Sequence, residues 1–451
     1  MRLTPEGTTS PPPAPAPDQQ KLDRVLGRFG NFAIALSTIC VVAGGITSFH
    51  VGYCSVGGAA IGIGWPLGCL FALTVALTMA EVASAFPRAG GPYLWAAKLG
   101  DPGWGWVAGC FNLAGLVTAL AAVNVGLCQF VLTGMSRVRG NNPASLPDAV
   151  LDTAVVLVTL SQALINHLGM RLTSWLTNAG GVLIVAVSLT LTGALIICPL
   201  LDGATPDLSR LVTFTNYSGE AGGNVWPASQ SLAWLFALGL LLPAYSLTGF
   251  DASAQVAEET DKPEKNVPRG IVRAVLVSGA VGWVMLSAVV LAVPNPGAIA
   301  AKGDGSFVWA LRAVLPSWLR TTLYVGIDAA QYVCGLATLT AASRLTWALA
   351  RDNGLPFSRA LSRVGSHHTP SVAIWSVCAV AALFAVCLPY TAVAAVCATF
   401  LYIAYIVPTM CGLLRPGRWP RVRAWQLGRW YRPLAAVAVL AGLFLIVISC
   451  D

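Results

Sequence analysis

Eleven apolar stretches run through this chain, and few charges fall inside them. They lie at residues 31–54, 60–86, 104–134, 148–168, 174–199, 230–257, 268–293, 319–348, 371–389, 391–413 and 432–450, and are called spans 1 to 11 below. Each comes near the ~20 residues that an α-helix needs to cross the hydrocarbon core of a bilayer. A backbone in lipid must satisfy its own N–H and C=O groups, so such segments are expected to be helices. Composition closes off the soluble alternative. Charged residues make up 10% and hydrophobic residues 56% of the 451, whereas a soluble domain carries about 25% charged residues. The expected fold class is an all-α polytopic membrane protein.

The net charge of +8 does not indicate nucleic acid, because the basic residues sit between the spans and form no stripe. With the N-terminus in the cytoplasm, 21 of the 27 lysines and arginines fall on the inner face. Arg137, Arg139, Arg210, Lys302, Arg312 and Arg320 fall outside. That asymmetry sets the orientation. Most of the twelve cysteines, Cys110, Cys128, Cys334, Cys378 and Cys397 among them, lie in apolar spans, where Cys behaves as a small hydrophobe. No Cys/His spacing suggests zinc, and no disulfide framework is read. Residues 1–28, Pro-rich at their start, are expected to form a disordered cytosolic tail without a cleavable signal sequence. His50 and His167 read as satisfied polar groups. The basic run Arg415 to Arg432 reads as an inner-face segment able to touch anionic lipid.

Two spans carry a glycine interruption near the middle: AGGITS at 43–48 in span 1 and TGFDAS at 248–253 in span 6. Five spans apart, the two have opposite orientation. That is the pattern of an inverted repeat of five plus five helices. It divides the chain into a first repeat at 29–200, an extracytoplasmic loop at 201–229, a second repeat at 230–413, and a basic loop with the eleventh helix at 414–451. A broken helix in lipid is tolerated only where it faces protein or a water-filled cavity, so the breaks are the expected substrate site.

Gly44, Gly45, Ile46, Thr47 and Ser48 read as the start of a half-helix whose N–H groups suit a carboxylate. A glycine pair serving close helix packing is the other reading. Before the second break, carbonyls near Ser246, Leu247, Thr248 and Gly249 suit a substrate amine. Asp251 reads as a partner for a substrate cation, as a proton carrier, or as the cap of the second half-helix. Glu81 reads as part of an inner gate paired with an arginine, or as an interfacial acid. Asn124 lines the pathway or makes a helix–helix hydrogen bond. Span 8 contains Asp328, expected to be solvated near its outer end, and Gln331, Thr338, Thr340 and Ser343.

Four segments resemble the amino acid–polyamine–organocation superfamily of permeases, and more narrowly its amino acid/choline branch, which includes GABA permeases. They are GGITSF in span 1, MAEVASAFPRAGGPYLWAAKLG at 79–100, TGFDASAQVAEET followed by VPRGI, and SRLTWALARDNGLP at 343–356. The resemblance implies a leucine-transporter-type fold and alternating-access transport of amino acids or related amines. It implies that Phe250, the aromatic after the glycine, gates the substrate. It also implies a coupling-ion site between spans 1 and 8, from the Ala43 carbonyl with Thr340 and Ser343. Such permeases usually have twelve spans. This sequence reads to an eleventh, with its C-terminus expected outside. Some proton-coupled members carry a lysine on span 5; Asn178 and its neighbours supply none.

The expected function is a plasma-membrane permease for a small amine-bearing solute, an amino acid or a GABA-like compound, with no cofactor or metal beyond a proton or sodium gradient. A choline or polyamine transporter and a non-transporting sensor of the same fold are the alternatives. No acid/base or nucleophile cluster converges within the spans, so an enzyme is not expected. Oligomeric state is not legible.

Overall fold

The computed structural model describes residues 22–138, 148–219, 229–388, 390–419 and 424–449. Among these, nine helices are long and apolar enough to cross a membrane: Arg28–Val56, Ala60–Ala85, Pro102–Leu132, Ala149–Leu168, Met170–Leu201, Pro263–Ala292, Ser317–Arg351, Val396–Leu414 and Gly428–Ser449. Two shorter apolar helices, Leu232–Ser246 and Ser371–Cys387, stand where spans 6 and 9 were expected. The chain is an all-α polytopic membrane protein. Span 6 is short because its helix is interrupted.

Local chemistry explains the starts of some helices. The Asp101 side chain accepts the backbone N–H groups of Gly103 and Trp104 and opens span 3, with Pro102 at its first position. Both suit a helix start. Spans 8 and 10 pack along span 3, and span 7 packs along span 2. The most apolar stretch of span 8 is wholly buried, which makes this helix the central post. Spans 4 and 5 stand at the rim. In span 5 the exposed residues Trp175, Val182, Leu189 and Ile196 recur every seven positions, one stripe along the helix.

Span 1 breaks at a different place from the one expected. It runs as Arg28–Ile39, Val41–Thr47 and Phe49–Val56. The interruption is at Cys40, in the left-handed region at φ 36°, while Gly44 and Gly45 lie inside the second piece. The glycines mark closeness rather than flexibility. A Cβ on Gly44 would stand 2.9 Å from the Cα of Ser246, so Gly44 lets span 6 lie against span 1. Span 6 leaves helical geometry across Leu247–Asp251, between Leu241–Ser246 and Ala252–Gln255. Gly249 there has φ +89°, a conformation that favours glycine.

The expected free tail at 1–28 needs dividing. Residues 1–21 lie outside the described residues, as do 220–228 of the expected loop and 420–423 of the basic loop. Residues 22–27 are held. The N–H groups of Val25 and Leu26 donate to the Glu259 carbonyl, and the Asp261 N–H donates back to Leu26. The contact forms at the end of the bundle where Arg88, Arg344 and Arg351 gather, called the basic face here.

That face is tied by charge. Arg344 meets Glu259 through two donors, at 3.1 and 3.2 Å, with both side chains buried. Arg351 donates to Glu258 at 2.7 Å, and Arg88 approaches the same carboxylate at 3.9 Å. Deeper in, Asn31 of span 1 donates to the Ser253 carbonyl and to Thr260, and the Ser253 hydroxyl donates to Asn31. The inner halves of spans 1, 6 and 8 thus form one linked block. Nearby, Tyr93 donates to Asp352 at 2.9 Å; burial first and that acceptor second push its hydroxyl pKa upward.

Arg344→Met strands the Glu259 carboxylate in the interior, at a cost of about 3–5 kcal/mol. The detergent-solubilised variant is expected to melt well below wild type. Glu259→Met/Arg344→Met is expected to recover most of that loss, because an apolar pair of similar volume replaces a buried ion pair at little cost. A double variant no more stable than the single one would show that this pair does not hold the face.

Candidate functional site

The two interruptions touch. A Cβ on Gly249 would lie 2.7 Å from the Thr38 side chain, and Gly44 faces Ser246. Where they meet lies a cavity of about 40 Å3, walled by Thr38, Ala43, Gly44 and Thr47 of span 1, Tyr245, Thr248 and Gly249 of span 6, and faces of spans 3, 8 and 10. Its size admits a few waters at the ~10–15 Å3 that each requires. It falls well short of the roughly 300 Å3 or more of an open ligand pocket. The conformation is a contracted one, so entry of a solute requires the walls to move.

Backbone polarity at the cavity comes from the breaks. The piece of span 1 after Cys40 takes its first helical hydrogen bond from Gly44 N–H to the Cys40 carbonyl. The N–H groups of residues 41–43 therefore begin a new helix end. Cys334 of span 8 donates its thiol to the Thr38 carbonyl at 3.4 Å, and Cys40 donates to Ala330 at 3.7 Å. Across the break, the Gly249 N–H donates to the Tyr405 hydroxyl at 3.0 Å.

The same tyrosine holds Asp251. Tyr405 donates to Oδ1 of Asp251 at 2.6 Å, while Asn112 and Gln255 donate to Oδ2 at 2.9 and 3.2 Å. Gln255 also donates to Asn112 at 2.8 Å. The Asp251 side chain makes no capping bond to its own half-helix, so the cap reading is corrected. Three donors from spans 3, 6 and 10 bind this carboxylate instead and lock the break in place. Sequence offered no signal for Tyr405, because a tyrosine in an apolar run is ordinary.

Of the residues singled out from sequence, Ala43, Gly44, Thr47, Thr248 and Gly249 line the cavity. Gly45 faces Met285 and Leu286 of span 7, and Ile46 and Ser48 are buried. Ser246 is buried with its hydroxyl unpartnered, against Gly44. Phe250, expected as a gate, is fully buried, its ring centroid 4.9 Å from that of Tyr405. Asn124 pairs reciprocally with Gln162 of span 4, the helix–helix reading. The Ala43 carbonyl accepts the Thr47 hydroxyl. Thr340 donates to Asn166, and the Ser343 hydroxyl donates to the Thr340 carbonyl; neither residue lines the cavity that Ala43 lines. Glu81 accepts the backbone N–H of Leu427 at 2.9 Å.

Gln331 and Thr338 of span 8, noted in the sequence without a role, also line the cavity. Gln331 is 1% exposed and has both amide atoms unpartnered. A buried primary amide without hydrogen bonds costs about 1–3 kcal/mol. A solute with both donors and acceptors would supply what it lacks.

Comparison with known proteins completes the site's context. The amino acid permease family model matches residues 26–450. Amino-acid permease BAT1 of Arabidopsis thaliana is 29% identical over 423 residues, 86% of this chain and 78% of that protein. Its homolog in Oryza sativa subsp. japonica is 30% identical over 417 residues, 87% and 78%. The GABA-specific permease of Saccharomyces cerevisiae is 26% identical over 375 residues, 80% and 63%.

Two measurements check the site. Gly44→Ala is expected to force spans 1 and 6 apart and abolish uptake, while Gly45→Ala, whose Cβ meets only side chains at 3.5 Å and beyond, is expected to keep it. Equal effects would refute the close-approach role of Gly44. Gln331→Leu is expected to melt at or above wild type, since it removes an unsatisfied buried amide, yet to lose uptake at least tenfold. A lower melting temperature with normal uptake would make Gln331 a structural residue.

Proposed function

Because this chain belongs to the amino acid permease family, we propose that it carries a small, net-neutral amino acid of the α or GABA-like kind by alternating access. One observation carries the choice. The cavity at the crossing of the breaks is lined by no Asp, Glu, Lys, Arg or His. A net charge brought there would stay uncompensated in a low-dielectric interior, whereas a zwitterion can divide its two ends between backbone dipoles. Its carboxylate would meet the N–H groups that open the second piece of span 1, favoured by the helix dipole. Its ammonium would meet carbonyls at the breaks and the Gln331 amide oxygen. Small residues at Gly44, Ala119, Ala122 and Gly249 leave room near the crossing.

The polar lock around Asp251 would hold span 6 during transport, and the buried Phe250 would act through Tyr405 rather than as an exposed lid. The block of Asn31, Ser253, Glu259 and Arg344 would form the inner gate, opening when the ion pair parts. We read the N-terminus as cytoplasmic on the positive-inside pattern, and the plasma membrane as the location. Spans 1–5 and 6–10 read as inverted repeats, supported by the two interruptions. The chain reads as a transporter without enzymatic activity, coupled to a proton or sodium gradient. Among the relatives, one is named a putative amino acid/polyamine transporter and one a thiamine transporter. A quaternary ammonium would call for an aromatic cage, and the lining holds one aromatic, Tyr245.

Purified protein in proteoliposomes, offered labelled alanine, GABA, lysine, choline and putrescine under imposed proton or sodium gradients, is expected to accumulate alanine or GABA and to exclude choline and putrescine. Uptake of choline or putrescine alone would replace this reading with the organocation one. Absence of uptake by folded protein would favour a sensor.

A further inference from the structure

Span 8 carries three side chains with buried polar atoms that meet no partner: Tyr324 Oη, Asp328 Oδ1, and both amide atoms of Gln331. Spacings of four and three residues place them on one helix face. That face is turned toward span 3. The Tyr324 ring meets Phe130 edge-on at 5.0 Å, and Gln331 shares the cavity wall with Ala119, Ala122 and Val123. Span 8 begins at Ser317 and ends at Arg351 on the basic face. Tyr324 is therefore the outermost of the three and Gln331 the innermost. At 1.5 Å per residue, Asp328 stands about 16 Å below the helix start and ~4.5 Å above Gln331. Three polar side chains thus mark a track along span 8 that ends at the cavity wall with Gln331.

Asp328 is half-buried, with Oδ1 buried and without a donor, and an acid placed in a membrane helix is usually kept for a partner. The facing stretch of span 3, residues 116–132, contains no charged residue. Asp328 makes no ion pair among the described residues. Tyr324 and Gln331 can share a hydrogen bond with a visitor but cannot neutralise its charge. What the track lacks is a cation that also donates hydrogen bonds, and the uncharged cavity below it cannot itself select for one.

We propose that Asp328 is an outer station for the substrate's ammonium group, which passes from this carboxylate to the Gln331 amide as the solute enters the cavity. This rests on the amino acid reading above. It separates two tasks. Asp328 selects amine-bearing solutes on the way in, and the cavity then accepts only those whose carboxylate keeps them neutral overall. The final site can be free of fixed charge because the selecting charge stands one helical turn above it.

The test uses the full chain in proteoliposomes, with the zwitterion that wild type carries, alanine or GABA, and its amine-free counterpart, propionate or butyrate, as competitor. Asp328→Asn is expected to raise KM about tenfold or more, the worth of a hydrogen bond to a charged group, with Vmax nearly unchanged. Inhibition by the amine-free acid is expected to stay at the wild-type level, and Asp328→Glu is expected to keep most of the wild-type KM. If Asp328→Asn is not recovered folded, Asp328→Ser is read in its place. A wild-type KM in the neutral variant would overturn the proposal. So would an altered response to the sodium or proton gradient at unchanged KM, which would assign Asp328 to a coupling ion. No uptake by wild-type protein would remove the function reading and this inference with it, whereas wild-type uptake with an indifferent Asp328→Asn removes this inference alone.

Discussion

Interrupting a helix inside a bilayer frees backbone N–H and C=O groups where no water can reach them, at several kcal/mol for each group left unsatisfied. This chain interrupts two helices and sets the interruptions against each other. Much of the remaining structure supplies what the breaks lack. The Tyr405 hydroxyl serves the Gly249 N–H on one side and the Asp251 carboxylate on the other. The Cys334 thiol reaches the Thr38 carbonyl. Spans 3, 8 and 10, which deliver these groups, are the ones wrapped around the crossing.

The same constraint shapes the cavity. Bringing two breaks into contact requires small residues, hence Gly44 against Ser246 and Gly249 against Thr38. Filling the wall with charge would defeat the arrangement, since each charge would need a partner in the same low-dielectric space. Apart from the Asp251 carboxylate, which three donors hold at the break, the strong electrostatics stand toward the ends. The buried Arg344–Glu259 pair closes the basic face, and Asp328 stands on the opposite approach. Between them the chemistry is that of backbone dipoles, hydroxyls and one orphan amide.

The ion pair and the docked residues 22–27 also explain why the contracted form holds together. Charges on spans 6 and 8 and backbone bonds from the N-terminal segment all converge on the turn at 258–261. Moving any one of these elements breaks contacts made to the other two.

Much was legible in the sequence. Membrane class and the interruption of span 6 follow from the length of apolar runs and the placement of Gly, because a bilayer imposes the same rule on every segment separately; of the eleven expected spans, nine are long enough to cross among the described residues and two are shorter. The break at Thr248-Gly249 was readable for that reason, since left-handed backbone favours glycine there. The break at Cys40 was not. A cysteine has no local preference for φ 36°, and contacts from span 8 to its thiol and to the Thr38 carbonyl accompany that conformation. The roles of Asp251, Gln331 and Asp328 were likewise open, because an acid or an amide in a helix looks the same whether donors surround it or not. The sequence determined the apolar, membrane-type segments and the bend at Gly249 in span 6. The tertiary structure decided which polar groups meet partners and which are left waiting for one, since hydrogen-bond satisfaction depends on neighbours more than a hundred residues away.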